Sequence, residues 1–364
     1  MRAAFIRIVL WPVAVIILAV VLLVIWVQGG GQEPNVQAQR PVVETPYRIY
    51  SSPDVPLQLL HFVSELDEIN VSSSLVMGKK DAILFATQGT RSASERLVAE
   101  IKKTGRNLTH VYLGHPHLDH SQGASVVQEH YPNAKFVAAP KVAALQQLRM
   151  APDDERSISR FGSNAVTSIP FEPLADEVLW LEGHEIQLWH DQVGDVGIGH
   201  VDEPHTVVYI PALKALLPND IAYYKGHMMM GGSTAESRSQ WKEQLQSYQT
   251  MGLDIVIPGH VPRNLSYEMT ADGVLTHSLT YIENYEAALA SSNSSEEVIE
   301  KMLALYPGME HTSALYLGTY MNFVETHKLL FNPRLESLFS LLPNSMARRL
   351  DAYLWEANKS AMNP

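Results

Sequence analysis

The sequence of 364 residues contains no cysteine. Disulfide bonds and thiolate chemistry are therefore excluded, and any metal site must be built from histidine, aspartate or glutamate. The absence of cysteine does not identify a cellular compartment, and it is compatible with an oxidising one.

Positive charge is also scarce. The chain carries 27 basic and 39 acidic side chains, and its formal net charge is −12. It has no basic stripe of the kind that follows a phosphate backbone, which argues against nucleic acid as a partner. The remaining composition, 46% hydrophobic and 18% charged, is ordinary for a globular protein of one large or two smaller domains.

Charged residues are missing from the run Ile8–Val27, which follows Arg2 and Arg7. A helix needs about 20 apolar residues to span a bilayer, so this run predicts a transmembrane anchor at 8–27. The positive flank predicts residues 1–7 in the cytoplasm and the rest on the outer, periplasmic or extracellular, side of the cytoplasmic membrane. The alternative is a signal peptide cleaved near Ala38 and a secreted protein. That cleavage site lies far beyond the apolar run, which favours the anchor.

Three segments with different residue patterns follow the predicted anchor. Glycine, proline and polar residues dominate 28–55, which is typical of a linker. Short apolar strands alternate with helical patterns over 56–265, which predicts a layered α/β domain. Helical spacing then prevails over 266–364, which predicts a helical C-terminal extension.

Two helix starts are predicted from capping patterns. The apolar spacing predicts a helix over Ser94–Lys103, with Ser94 as its N-cap and Gly105 as its end. The run that begins at Ser294 and continues with Ser295, Glu296 and Glu297 is typical of the start of a second helix. Leu97, Val98 and Ile101 would give the first helix one apolar face.

The segment "LGHPHLDHSQG", residues 113–123, concentrates four ligand-type residues, His115, His117, Asp119 and His120. In an extended segment the side chains of His115 and His117 point the same way, so both can face one metal ion. Asp119 and His120 can then face a second position close by. Imidazole and carboxylate are ligands that zinc accepts in the absence of thiolates. The alternative, a set of solvated loop histidines, does not explain this density.

"HPHLDH" resembles the H-x-H-x-D-H signature of the metallo-β-lactamase superfamily. That family has a third histidine after a mid-domain strand, an acidic bridging residue at a later strand end, and a last histidine in a strand-end Gly-His. This sequence supplies His200, Asp220 and His260 in that order. The resemblance implies an αββα sandwich, in which two sheets lie between outer helices.

The resemblance also implies a ligand set for two divalent metal ions. The first ion would be held by His115, His117 and His200, the second by Asp119, His120 and His260, and Asp220 would bridge them. Some relatives use an acidic residue in the loop that contains His200, so the alternative loop ligands are Asp202, Glu203 and His205. Tyr223, Lys225 and His227 follow the bridging residue and are predicted substrate contacts.

The function implied by the resemblance is metal-dependent hydrolysis. Two ions, zinc as first choice with iron or manganese as alternatives, would share a bridging hydroxide. Asp119 and Asp220 would be the catalytic carboxylates, and a small molecule would be cleaved at an ester, thioester, lactone, amide or phosphodiester bond. Some true β-lactamases use a cysteine ligand that this chain lacks. A bridging aspartate is more similar to the glyoxalase II and lactonase branches.

Two other classes remain as alternatives on the same fold. One is a non-enzymatic, membrane-anchored binding or sensor module, although degenerate members usually lose ligands and this chain retains all of them. The other is a di-iron redox enzyme, although no glycine-rich flavin-binding segment is apparent.

Overall fold

The computed structural model describes residues 45–196 and 203–323. The predicted anchor, the cytoplasmic N-terminus, most of the linker, the last part of the extension, His200 and Asp202 lie outside these residues. Within the two described ranges, no helix combines the length and the apolar character needed to cross a membrane.

Twelve strands of the described chain form two sheets. The seven-stranded sheet runs in chain order: β1 (Tyr47–Ser51), β2 (Gln58–Val63), β3 (Ser72–Met77), β4 (Asp81–Phe85), β5 (Asn107–Leu113), β6 (Lys135–Ala138) and β7 (Glu172–Pro173). The five-stranded sheet has the order β12-β11-β10-β9-β8, with β8 (Val178–Leu181), β9 (His184–Gln192), β10 (His205–Ile210), β11 (Ala215–Tyr223) and β12 (Ile255–His260). Strands β4 to β7 pair in parallel, as do β11 and β12, and the other pairs are antiparallel.

Eight α-helices connect or follow these strands in the described residues. They are α1 (Arg91–Thr104), α2 (Leu118–Ser121), α3 (Ala124–His130), α4 (Pro140–Phe161), α5 (Ala235–Gln249), α6 (Ala271–Ala290), α7 (Ser295–Leu305) and α8 (Thr312–Phe323). Short 3-10 helices lie at Leu66–Glu68, Gly162–Asn164, Pro211–Leu213 and Arg263–Glu268.

Strand β4 shows why the first sheet lies between two layers. Ala82 and Leu84 pack in the cluster that includes α1, α3 and α4, whereas Ile83 and Phe85 pack in the cluster that contains the second sheet. Successive side chains of a strand point to opposite faces, so an unbroken apolar run is buried on both sides. The first sheet is thus covered by helices on one face and by the second sheet on the other.

Helices α5 and α6 cover the outer face of the second sheet. The indole Nε1 of Trp241 on α5 donates a 2.7 Å hydrogen bond to the carbonyl of Ile221 on β11. On α6, the hydroxyl of Ser278 accepts from the backbone N–H of Tyr223 at 3.0 Å. The predicted α/β fold of two sheets with helices outside them is therefore confirmed.

The boundaries of the domain differ from the predicted ones. Strand β1 lies inside the segment predicted as linker and pairs with β2, because its tyrosines and isoleucine favour a strand despite polar neighbours. The hydroxyl of Tyr267, which follows the predicted domain, donates to the carbonyl of Tyr47 at 2.9 Å. Helix α6, predicted as part of the extension, packs on β11 and β12. The first part of the extension is thus a layer of the domain.

One predicted helix start is wrong and the other is confirmed. Helix α1 begins at Arg91, because the hydroxyl of Thr90 accepts from the backbone N–H of Ala93 and is the N-cap in place of Ser94. Gly105 ends the helix as predicted, with a φ of 68° that glycine adopts without strain. Ser294 caps α7 as predicted.

Candidate metal centre

Three strand ends bring the predicted ligands together. His115 and His117 follow the end of β5, Asp220 lies on β11, and His260 is the last residue of β12. Because β11 and β12 are parallel, their carboxyl ends share one edge of the second sheet. Gly259 permits this approach, since a Cβ atom there would lie 1.7 Å from Oδ1 of Asp220.

The carboxylate of Asp220 lies at the centre of four imidazoles. Its Oδ2 atom is 3.1 Å from Nε2 of His115, 3.2 Å from Nδ1 of His117 and 3.4 Å from Nε2 of His260. Its Oδ1 atom is 3.2 Å from Nε2 of His120. One carboxylate therefore touches histidines from both halves of the predicted site.

The ligand-type side chains form two groups, each capable of holding a metal ion. Within each group, one candidate ligand atom per residue lies within 4.8 Å of all the others. The first group is His115, His117, Asp195 and Asp220, and the second is Asp119, His120 and His260.

Asp195 was not among the residues predicted from the sequence. It lies in the loop between β9 and β10, is 1% exposed, and its Oδ2 atom is 3.7 Å from Nδ1 of His117. The hydroxyl of Tyr223 donates a 3.0 Å hydrogen bond to the same oxygen. The only local signal was an acidic residue between Gly194 and Val196, and no motif surrounds it. His200, predicted as the third ligand, lies outside the described residues of this loop.

Two residues predicted as alternative loop ligands lie beside the first group. Nε2 of His205 donates to the carbonyl of Asp195 at 2.9 Å, which directs this nitrogen to the backbone. Oε1 of Glu203 is 3.1 Å from Nε2 of His117 and accepts a 2.8 Å hydrogen bond from Arg149 on α4. Glu203 thus approaches the imidazole of His117 from the side opposite to Asp220, where it orients the ring.

The second group has close contacts among its own members. Oδ2 of Asp119 is 3.3 Å from Nε2 of His260 and 3.6 Å from Nε2 of His120. The two Nε2 atoms lie 3.3 Å apart. Nδ1 of His260 donates to the carbonyl of Ile69 at 2.8 Å, which turns Nε2 towards the group.

The charge of the site fits bound cations. Burial opposes ionisation of Asp220, but the neighbouring histidines, His120 foremost, outweigh it and hold the pKa of Asp220 well below its ordinary value. Burial lowers the pKa of His115 well below its ordinary value, which favours the neutral imidazole that binds metals. For His117 and His260 burial is outweighed by the neighbouring carboxylates, which raise the pKa of both, so these two imidazoles would release a proton on binding a cation. Within the described chain, Oδ1 of Asp220 and Oδ1 of Asp195 make no hydrogen bond and have only ion-pair contacts, with Nε2 of His120 at 3.2 Å and Nε2 of His205 at 3.4 Å. Unsatisfied buried carboxylate oxygens are costly, and divalent cations would satisfy them.

Two of the predicted substrate contacts are buried behind the site. His227 has no exposed surface, its Nδ1 atom is 2.9 Å from the hydroxyl of Tyr281, and burial lowers its pKa to about 4. Tyr223 is also buried, and its ring stacks on His260 with centroids 5.3 Å apart. The prediction that these two side chains contact substrate therefore does not fit their positions. Lys225 is exposed and lies over the ring of Tyr224.

Comparison with known proteins gives a family match and several structural matches. Residues 66–260 match the model of the Metallo-beta-lactamase superfamily. A metallo-beta-lactamase from Pontibacter korlensis is 18% identical, with a TM-score of 0.43 over 65% of this chain and 99% of that one. The DIM-1 metallo-beta-lactamase is 19% identical, with a TM-score of 0.43 over 66% and 98% of the two chains. VMB-1 is 15% identical, with a TM-score of 0.45 over 65% and 96%. No curated protein sequence matches the chain.

Proposed function

The chain belongs to the metallo-β-lactamase superfamily, and we propose that it is a metal-dependent hydrolase with two metal ions. Members of this superfamily are generally hydrolases. The observation that carries the proposal is the position of Asp220, whose two oxygens face the histidines of both ligand groups. A shared carboxylate of this kind is suited to bridging two cations.

We propose zinc as the metal, because the ligand groups contain only imidazole and carboxylate. His115, His117, Asp195 and Asp220 would hold the first ion, and Asp119, His120, His260 and Asp220 the second. When bound, such ions acidify a water molecule and polarise the bond to be cleaved. The role of His200 as a ligand stays a prediction.

Asp119 is the carboxylate of the site that is best placed to exchange a proton with a substrate. Its side chain is 12% exposed, whereas those of Asp195 and Asp220 are 1% exposed and that of Glu203 is 0% exposed. Burial opposes its ionisation, but His120 and His260 outweigh burial and lower its pKa, so the carboxylate is ionised near neutral pH. An ionised Asp119 can orient a nucleophile and accept its proton at a carboxylate oxygen.

The proposed substrate is a small molecule with an ester, thioester, lactone, amide or phosphodiester bond. Hydrolysis at two metal ions suits any of these bonds, so the class must be found by screening. The screen must distinguish a hydrolase from the two alternatives, a non-enzymatic binding module and a di-iron redox enzyme.

Metal content of the purified full-length chain, measured by elemental mass spectrometry, is the first test. We expect about two zinc ions per chain and metal-dependent turnover of at least one bond class, lost on chelation and restored by zinc. Two iron ions per chain would favour the redox enzyme. Two zinc ions without turnover of any bond class would favour the binding module. No bound metal after refilling would contradict the proposal altogether.

The cellular setting that we propose rests on the sequence alone. The apolar run Ile8–Val27 and the preceding arginines support a single-pass anchor with the catalytic domain on the outer side of the cytoplasmic membrane. We expect to recover the chain in washed membranes and to find that protease added from outside digests it. Recovery as a free, shortened protein would instead support secretion after cleavage.

A further inference from the structure

We propose that the helical extension positions the second ligand group through a latch formed by Asn70, Glu310 and His311. The inference rests on the proposed two-metal function and gives the extension a role in it. The latch residues would be positioning residues, since they act through His260 and touch neither substrate nor metal.

The imidazole of His260 depends on one backbone carbonyl. Its Nδ1–H donates to the carbonyl of Ile69 at 2.8 Å, and this bond fixes both the tautomer and the plane of the ring. In this orientation the ring presents Nε2 to Asp119 at 3.3 Å and to Asp220 at 3.4 Å. The position of the Ile69 carbonyl is therefore part of the geometry of the site.

That carbonyl belongs to a strained pair of residues. Ile69 has a φ of 60° and Asn70 a φ of 51°, both in the left-handed region. Asparagine tolerates this region, but a β-branched isoleucine is strained there and adopts it only where its surroundings hold it. Local hydrogen bonds from the backbone N–H groups of Ile69 and Asn70 reach back to Leu66 and Glu65 at 2.9 and 3.0 Å.

The side chain of Asn70 ties this pair to the extension. Its Nδ2 atom donates to Oε2 of Glu310 at 2.7 Å and lies 3.3 Å from Nε2 of His311. Asn70 is buried, so its amide must find partners within the protein, and these partners are 240 and 241 residues away along the chain. The carbonyl of Asn70 also accepts from the backbone N–H of Val261, directly after His260.

The extension holds its side of the latch in place. The carbonyl of Glu310 accepts from the backbone N–H of His227 at 2.9 Å, in a bridge that pairs Glu310 with Gly226. The ring of His311 packs edge-on against His260, with centroids 5.4 Å apart. The segment that follows Asp220 therefore anchors the latch through its backbone. The latch itself reaches His260 through the ring of His311 and through the hydrogen bond from Val261 to the carbonyl of Asn70.

The latch reaches the first ligand group less directly, through Asp220, which both groups share, and through Tyr223, which stacks on His260. Of that group, His117 contacts Glu203, and Asp195 contacts Tyr223, so its supports come from α4, β11 and the loop before β10. Loss of the latch should therefore weaken the second ion and leave the first one bound. This selectivity separates a positioning role from a general loss of stability.

Cobalt titration of the metal-depleted full-length chain, followed by visible absorption, measures the two binding steps. The test variant is Asn70→Gly, because glycine adopts the left-handed region freely and only the amide is lost. We expect the second step to weaken about 10- to 100-fold, as is usual for loss of a group that orients a ligand, and the first step to stay unchanged. The matched control is Asn322→Ala, which removes an amide that ties α8 to Met230 and Tyr285 but does not lead to His260.

The latch would be overturned if Asn70→Gly bound cobalt in both steps with wild-type affinity. It would also be overturned if the Asn322→Ala control weakened the second step as much as Asn70→Gly does. If Asn70→Gly does not fold, Glu310→Ala decides, since it removes the same hydrogen bond without changing the strained pair. Glu310→Gln keeps an acceptor oxygen and should restore the second step. Failure of the wild-type chain to bind any cobalt would instead contradict the proposed metal site itself.

Discussion

Two carboxylates of the second sheet lie near opposite ends of the neighbouring strands β4 and β5 and show different uses of the same chemical group. Asp220 lies beside the end of β5, among the histidines of the site. Glu182 lies near the start of β4, where its two oxygens accept hydrogen bonds from the backbone N–H groups of Lys79, Lys80 and Asp81 at 2.6–2.9 Å. These donors, foremost that of Asp81, lower the pKa of Glu182 to about 2.

The difference lies in how the two groups are satisfied. Every bond of Glu182 serves the turn between β3 and β4 and joins it to the hairpin of the second sheet. Oδ1 of Asp220, in contrast, accepts no hydrogen bond from the described residues although the side chain is buried. A fully satisfied carboxylate is typical of a structural role, and an incompletely satisfied buried one indicates a functional role. Four substitutions test this comparison.

The largest expected effect is that of Asp220→Asn. The substitution keeps the shape of the side chain but removes the charge that both ligand groups share, so metal binding and hydrolysis should fall to background. Elemental mass spectrometry and the substrate screen measure both losses, and circular dichroism checks that the chain is folded. Full activity in this variant would show that Asp220 is not the shared ligand.

Asp195→Asn should have the next largest effect. If Asp195 is a ligand of the first ion, activity should fall by more than about 100-fold, beyond the usual effect of a group that only orients a ligand. The metal content should drop towards one ion per chain. His200→Ala is the matched comparison. A large loss with His200→Ala and a small one with Asp195→Asn would assign the third ligand to His200, as the resemblance implied.

Glu203→Gln should have an intermediate effect. Its carboxylate contacts His117 and Arg149 and orients the imidazole, so the first ion should bind about 10- to 100-fold more weakly while two ions per chain are retained. Isothermal titration with zinc measures this shift. A suitable control is Asp191→Asn, which removes an exposed carboxylate that pairs with Lys141 on the same helix α4. Loss of one whole ion would instead identify Glu203 as a ligand.

The parts of the site that could be predicted from the sequence are those encoded over short distances. His115, His117, Asp119 and His120 lie within six consecutive positions, and strand periodicity with ligand chemistry is sufficient to predict that they meet. His260 and Asp220 were placed by the resemblance, which supplies the order of elements that spacing alone does not. The strands around them were predicted because apolar runs such as that of β4 have a strong local signal.

The parts that could not be predicted depend on contacts between distant residues. Asp195 approaches His117 from the segment that follows β9, and no local pattern encodes that contact. Asn70 and Glu310 are 240 residues apart. The N-cap of α1 is Thr90 and not Ser94. Both hydroxyls suit a helix start, and the choice between them depends on where the preceding loop ends. Burial of His227 similarly follows from packing against Tyr281, which the sequence pattern does not reveal.

The smallest effect is expected for Glu182→Gln, at the structural end of the comparison. The amide can still accept from the backbone N–H groups of Lys79–Asp81 but lacks the charge that strengthens these bonds, so the melting temperature should fall slightly while activity and metal content stay unchanged. The folded pKa, about 2, lies below the ordinary value of 4.5. The stability that the charge contributes is therefore complete above pH 4.5 and is lost as the pH falls towards 2. Calorimetry at pH 7 and near pH 3 should show a larger difference between wild type and variant at pH 7. A difference that grows at the lower pH, or any loss of bound metal, would mean that Glu182 does not have a purely structural role separate from the metal site.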